Sequence, residues 1–297
     1  MRKSIDLATA ITAVAAQPAQ ELTLAELVLA YCAVRCDGIA DRLKKWIEAF
    51  GHASAWAISS ETLATAADAM LEHGYSPASV NRDLSALGSV YRWAAGKRLS
   101  PRGFKSPTLG IRRYPEAIRR VEITAPELEA VRSRALAFPD RRFGVFVSLL
   151  IDTGARKSEL LERHWSDVDL EKREILAPVT KNGTPRLLFF SDKTADLMER
   201  VFPRRNPDKL MFEGRVPGMP ITFRKAWKTL TREVGRPDLH MHDLRHAAAA
   251  NLLKAGVTLG VAAQVLGHDP AVLARRYGHL ESGVLRQAQE AAWKQAA

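Results

Sequence analysis

The chain has 297 residues, 46% of them hydrophobic, and a formal net charge of +11. That length suffices for two domains with full cores, and that apolar fraction excludes a chain disordered throughout. The basic balance favours a polyanionic partner, and two cysteines alone exclude a disulfide framework or a zinc site built from cysteines only.

The charge is unevenly placed. Residues 1–98 hold ten basic and ten acidic side chains, so the whole excess lies in the rest of the chain. Cys32 and Cys36, one helical turn apart, read as reduced thiols of a cytoplasmic protein. No apolar run is long enough to span a bilayer. Arg2-Lys3 precedes an Ala-rich stretch, but Asp6, Thr9 and Thr12 make it a poor signal-peptide core, and residues 1–21 are expected to form an N-terminal tail.

Residues 22–98 predict four helices. Thr23 with Glu26 has the pattern of a capping box that opens Leu24–Val34. Leu43, Trp46, Ile47 and Phe50 recur at helical spacing up to Gly51, and Ser60–Leu71 is Ala-rich. Ser76-Pro77 starts a helix whose stripe is Val80, Leu84, Leu87, Val90, Tyr91 and Ala94. Four helices in this length make a small all-α bundle. Residues 99–122 change character: Pro101, Pro107 and Pro115 break helices, and six basic residues stand against two acidic ones. They are expected to form a basic linker, which suits a strap along phosphates and equally a solvated connector.

A second domain, 123–297, opens at Thr124-Ala125-Pro126-Glu127, an N-cap with a first-turn Glu. Phe143–Thr153 reads as a buried helix closed by Gly154. Arg156 and Glu159 follow, three apart. The apolar run Ile175–Val179 and the run Arg186–Phe190 flank Asn182-Gly183, a hairpin signal that puts Lys181 at the mouth of a β-hairpin. Thr222–Val234 reads as a helix carrying Arg224, Lys225, Lys228 and Arg232. Ala247–Leu266, rich in Ala and Leu, reads as helical; Gly267 stops it and leaves His268 at a helix end, with Tyr277 nine residues on. His242 and Arg245 share a helix face. These groups suit binding a phosphate and attacking it. Equally, His240, His242 and His246 suit a zinc ion, which would make a metal-dependent nuclease. Past Tyr277, the residues Val284, Leu285, Ala288, Ala292 and Trp293 predict an amphipathic C-terminal helix.

Taken together, Thr153-Gly154-Ala155-Arg156-Lys157-Ser158-Glu159-Leu160-Leu161, Lys181, His242-Asp243-Leu244-Arg245-His246, Leu266-Gly267-His268 and Tyr277 resemble the tyrosine recombinases of the phage-integrase type, over roughly residues 124–280. Ala247 and Gly278 depart from the Thr or Ser frequent at those places. The resemblance implies a mainly α fold with a small β-hairpin or sheet in the catalytic domain, in a two-domain, C-shaped DNA clamp. Residues 22–98 would be the core-binding domain, and no arm-type domain is expected before residue 20. The implied activity is site-specific DNA recombination through a 3′-phosphotyrosyl link; a type IB topoisomerase is the nearest alternative.

The same resemblance implies a nucleophilic Tyr277, with Arg156 and Arg245 on the phosphate and Lys181 as general acid. His242 and His268 would supply hydrogen bonds and proton handling, and Glu159 would orient its neighbours. Arg112, Arg113, Arg119, Arg120, Arg224 and Lys228 are expected to meet the DNA backbone. No metal or cofactor is implied. The implied partners are double-stranded DNA and three further copies in a tetramer on two DNA sites, with the C-terminal helix either docked on its own domain or, as the resemblance favours, passed between protomers, and no membrane involved.

Overall fold

A computed structural model describes residues 21–35, 38–116, 121–178, 185–277, 289 and 293. The expected N-terminal tail, Cys36, Arg119, Arg120, Lys181 with its Asn-Gly turn, and the C-terminal segment apart from Gln289 and Trp293 lie outside the described residues. The fold is mainly helical with one small sheet. Chain contacts divide it into two compact units, Met1–Arg119 and Arg120–Ala297. No helix among the described residues is long and apolar enough to cross a membrane.

The first unit holds α1 (Leu24–Val34), α2 (Ala40–Phe50), α3 (Ser60–Glu72) and α4 (Pro77–Gly96). Local chemistry sets their starts. Thr23 and Glu26 form the reciprocal capping box, Ser59 caps α3, and Ser76 caps α4 with Pro77 in its first turn. The α4 stripe from Val80 to Ala94 is fully buried against Leu27, Leu43, Trp46 and Leu63. Asn81 and Asp83 are buried polar residues on that helix, and Arg42 and Lys45 donate to the Asp83 carboxylate at 3.1 and 2.8 Å.

The stretch after α4 departs from the expected linker. Phe104 stacks edge-on against Trp56, with ring centroids 5.1 Å apart. The Tyr114 hydroxyl donates to Asp68 at 2.6 Å, and Asn81 both donates to the Tyr114 carbonyl and accepts from its N–H. Gly88 is where the segment presses closest, since a Cβ there would meet Thr108 Oγ1 at 2.9 Å. Residues 99–116 are therefore part of the first unit's packing. Aromatic side chains spaced through a Pro-rich segment bury against the bundle without needing a helix of their own.

The second unit begins with α5 (Ala125–Leu136), capped by the Thr124–Glu127 box, and α6 (Arg141–Thr153), which is buried along nearly its whole length. After α7 (Lys157–Leu161), the strands β1 (Val168–Asp169), β2 (Glu174–Ala177) and β3 (Arg186–Phe189) form an antiparallel sheet in the order β1-β2-β3, with Ile175 opposite Leu188. The β1 strand extends the expected hairpin into a sheet. Then come α8 (Asp192–Val201), α9 (Arg224–Glu233), α10 (Met241–Lys254), α11 (Leu259–Leu266) and α12 (Pro270–Tyr277).

The single helix expected over Ala247–Leu266 is two. Gly256 takes φ +83°, and the Thr258 side chain caps the N–H of Val261, so the first helix ends and a second starts. Phe143, Phe146, Phe212 and Phe223 centre the main core of this unit. A smaller core of Ala249, Leu253, Ala262, Ala263, Leu266 and Leu273 joins α10, α11 and α12 and takes in the ring of Tyr277.

Candidate active site

The site is built where α6, α10 and α11 end or begin. Gly154 closes α6 in the left-handed region, at φ +59°, and its carbonyl accepts from Arg245 at 2.9 Å. A Cβ on Gly154 would lie 2.5 Å from Leu266 Cδ2 and 2.9 Å from Ala248 Cβ. Gly154→Ala is therefore expected to cost about 1–3 kcal/mol from the overpacking alone. A denaturant melt checks this; an unchanged midpoint would contradict it.

Arg156 stands just ahead of α7, where its backbone N–H donates to Glu159 Oε2 at 2.8 Å and its guanidinium donates to Glu159 Oε1 at 2.6 Å. The same guanidinium donates to the Gly267 carbonyl at 3.1 Å. Arg245 is buried, with 1% of its side chain exposed, and each of its nitrogens is aimed. Nε donates to His268 Nε2 at 3.1 Å, one terminal nitrogen donates to Gly154, and the other reaches the Gly267 carbonyl at 3.4 Å. The Gly267 carbonyl thus ties the two arginines together. Gly267 holds this place at φ +60°, with room for no side chain beside Arg186 Cδ, 2.9 Å from where a Cβ would sit.

Glu159 is 6% exposed and faces three cations. Burial works to raise the pKa of its carboxyl, but the hydrogen bond from the Arg156 N–H and the charge and hydrogen bond of Arg186 outweigh that and hold it below the ordinary value. It is a buried hub, not the surface ion pair that its spacing from Arg156 also allowed. Burial, then the charges of Arg156 and Arg186, push the Arg245 guanidinium down to about 9, against the opposing pull of Glu159. It therefore stays cationic at neutral pH. Burial and the neighbouring Arg245 push His268 down to about 3, so it is a neutral imidazole. Since its Nε2 accepts from Arg245, its proton sits on Nδ1, and that buried nitrogen has no hydrogen-bond partner among the described residues.

On α10, Asp243 accepts from the His240 backbone N–H at 2.7 Å and fixes the first turn. The following turn turns Arg245 inward and brings His246 to Tyr277, whose hydroxyl lies 2.6 Å from His246 Nδ1. The ring of Tyr277 is 8% exposed. The His242 and His246 rings meet edge to face with centroids 4.7 Å apart. The three histidines His240, His242 and His246 do not assemble a metal-ligand cluster with any neighbour among the described residues. The Nδ1 of His246 faces a phenol.

The structure therefore brings Arg156, Glu159, Arg245 and His268 into one network, and Tyr277 beside it through His246; His242 adjoins His246. Lys181 falls outside the described residues. Of the expected DNA-backbone contacts, Arg112, Arg224 and Lys228 are exposed, and Arg113 donates to the Asn81 carbonyl at 2.9 Å. One residue of the site was not singled out by sequence reasoning, and a second, His246, was read for a different part. Arg186, at the start of β3, is 8% exposed, donates to Glu159 Oε2 at 2.6 Å and also reaches the Val265 carbonyl. Its one signal is a charge opening an otherwise apolar strand. His246 was read only with its helical neighbours, because its partner lies on another helix.

The profile of the phage integrase family matches residues 123–283, just over half of the chain and the part that carries the site. The tyrosine recombinase XerA of Saccharolobus solfataricus is 31% identical over 169 residues, which are 57% of this chain and 56% of that protein. Tyrosine recombinase XerC of Roseiflexus castenholzii is 29% identical over 234 residues, 70% of each. The chain thus spans between about half and 70% of the length of these curated relatives. In fold, it is similar to the Tn1549 transposon integrase in complex with transposon right end DNA, with a TM-score of 0.69 and 18% identity over 91% of this chain and 100% of that one. It is also similar to a lambda integrase tetramer bound to a Holliday junction, with a TM-score of 0.63 and 16% identity over 92% of this chain and 88% of that one.

Proposed function

The chain belongs to the phage integrase family, and from that premise we propose that it is a site-specific DNA recombinase that cuts and rejoins strands through a 3′-phosphotyrosyl link. The observation that carries the reading is the pairing of Arg156 and Arg245 on the Gly267 carbonyl, with the Tyr277 hydroxyl 2.6 Å from His246, the residue next to Arg245. Two fixed guanidiniums and the Nδ1–H of a neutral His268 supply donors for the non-bridging oxygens of one phosphate. Their hydrogen bonds to backbone carbonyls and to Glu159 set the directions before DNA arrives, so little reorganisation is required at the moment of reaction.

Tyr277 Oη attacks the phosphorus, the P–O5′ bond breaks, and the strand is held as a 3′-phosphotyrosine. A new 5′-hydroxyl then reverses the step and reseals. Lys181 protonates the departing 5′-oxygen, and His242 adds a hydrogen bond near the phosphate. Arg112, Arg113, Arg119, Arg120, Arg224 and Lys228 contact the DNA backbone, where each cation displaces condensed counterions. Exchange between two duplexes involves four strands, so we read the working assembly as a tetramer on DNA, with the segment after Tyr277 passed to a neighbouring copy.

The test is a duplex nicked beside the cleavage site, from which the short 5′-hydroxyl fragment diffuses away. The protein should accumulate as a covalent adduct, visible as a shifted band on a denaturing gel and insensitive to EDTA. No band, or one lost with EDTA, would overturn the reading. Lys181→Ala should slow cleavage by about 10²–10⁴-fold while leaving binding nearly unchanged. A substrate with sulfur in the 5′-bridging position needs no proton to leave, so it should restore the variant's rate. Absence of that rescue would move the acid role to another residue.

A further inference from the structure

We propose that His246 is the base of the reaction: its Nδ1 takes the phenolic proton as Tyr277 attacks and returns it when the strand is rejoined. This rests on the phosphotyrosyl reading above and names a residue that the reading leaves without a part. The Tyr277 hydroxyl is 2.6 Å from His246 Nδ1, within the reach a general base requires. Both partners are fixed. His246 sits on α10 next to the buried Arg245, and the ring of Tyr277 is packed against the core that joins α10, α11 and α12. The phenol of a tyrosine is mostly protonated at neutral pH, so its oxygen becomes a good nucleophile only as the proton departs.

The neighbouring histidine at the phosphate pocket does not fit this part. The Nε2 of His268 already accepts from Arg245, and burial among cations keeps that ring neutral and poorly basic, which suits a donor and not an acceptor. Among the described residues, the groups that face His246 include the His242 ring on its own helix and Tyr277 from α12, and His268 lies close enough for the charge of His246 to act on it.

The step balances. The Tyr277 O–H bond breaks, its proton passes to Nδ1 to give an imidazolium, the new P–O bond forms, and the P–O5′ bond breaks with its electron pair on the 5′-oxygen, which takes a proton from the general acid assigned above. In rejoining, the 5′-hydroxyl gives its proton back to that acid's conjugate base as it attacks, the P–O bond to Tyr277 breaks, and the imidazolium returns its proton to the departing phenolate. One group acting as base in one direction and acid in the other is what a reversible transfer demands.

His246→Asn places an amide oxygen near the position of Nδ1. It keeps a hydrogen-bond acceptor for the phenol but cannot carry the proton. On the nicked duplex, this variant should bind DNA as the wild type does and form adduct about 10²–10⁴-fold more slowly. The decisive readout replaces Tyr277 with a difluorotyrosine, whose more acidic phenol needs a base less. That replacement should recover roughly tenfold or more in the Asn variant and change the wild type little. A purely packing role for His246 would not respond to the acidity of the phenol. If the Asn variant is within about threefold of the wild type, or if the difluorotyrosine restores nothing, the proposal is overturned.

Should the Asn variant lose DNA binding through misfolding, His246→Gly with added imidazole makes the same distinction. Restored cleavage supports the base, and its absence overturns it. Wild-type protein that forms no adduct sinks the phosphotyrosyl reading itself. An adduct made at full rate without His246 sinks this inference alone.

Discussion

Tyr277→Phe leaves DNA binding near the wild-type level and yields no covalent adduct. The change removes one oxygen and keeps the ring, which is 8% exposed and packed with Leu266 and Leu273. What the fold loses is the hydrogen bond to His246, worth about 0.5–1.5 kcal/mol. Binding persists because it draws on many cationic contacts, of which the phenol is not one. Chemistry vanishes because the other tyrosines, Tyr31, Tyr75, Tyr91 and Tyr114, all belong to the first unit. On the nicked duplex the wild type accumulates a shifted band, whereas the variant shows none at any time. A band from the variant would mean that another residue is the nucleophile.

The second large effect is on stability. Glu159→Gln removes the one carboxylate that Arg156 and Arg186 bond and that lies 4.0 Å from Arg245. Three guanidiniums then share a pocket with no counter-charge from Glu159. Breaking a buried charge network from one side costs about 3–5 kcal/mol, and that is the loss expected at pH 7. Gln keeps the shape, so the cost is electrostatic and not a cavity. The pH dependence carries the same signature. Arg156 and Arg186 hold the Glu159 carboxyl below its ordinary value of 4.5 despite burial. Its contribution is therefore complete above that value and is lost as pH falls through the lower folded one. In denaturant melts the wild type should lose stability steeply below about pH 4.5, and the Gln variant should start lower and change less over that range. Equal midpoints for the two proteins at pH 7 would show that the three cations do not depend on Glu159.

How much of this was legible in the residues depends on how far apart the partners lie. The helix starts at Thr23, Ser76 and Thr124, the buried stripe of α4, the stop at Gly154 and the pairing of β2 with β3 follow from contacts a few residues apart. Those contacts leave their pattern in the chain itself, as caps, 3.6-residue stripes and turn residues. The motif around Arg156, His242, Arg245, His268 and Tyr277 was visible for the same reason, as short runs in a fixed order, and the family match covers it.

Only the tertiary structure decided how those runs meet. Arg156 finds the Gly267 carbonyl 111 residues on, Arg186 finds Glu159 across 27, and Tyr277 finds His246 across 31. No local spacing encodes these pairings, because they are set by how α6, α10, α11 and β3 pack. The break at Gly256 and the burial of residues 99–116 are of the same kind. A run rich in Ala and Leu reads as one helix until Leu253, Leu266 and Leu273 must share one small core. A Pro-rich basic stretch reads as a connector until Phe104 and Tyr114 find an aromatic surface and the side chains of Asn81 and Asp68. The sequence by itself determined which groups are present and in what order. Packing among distant elements determined which of them touch, and so made a carboxylate hub of Glu159 and placed an imidazole on the phenol of Tyr277.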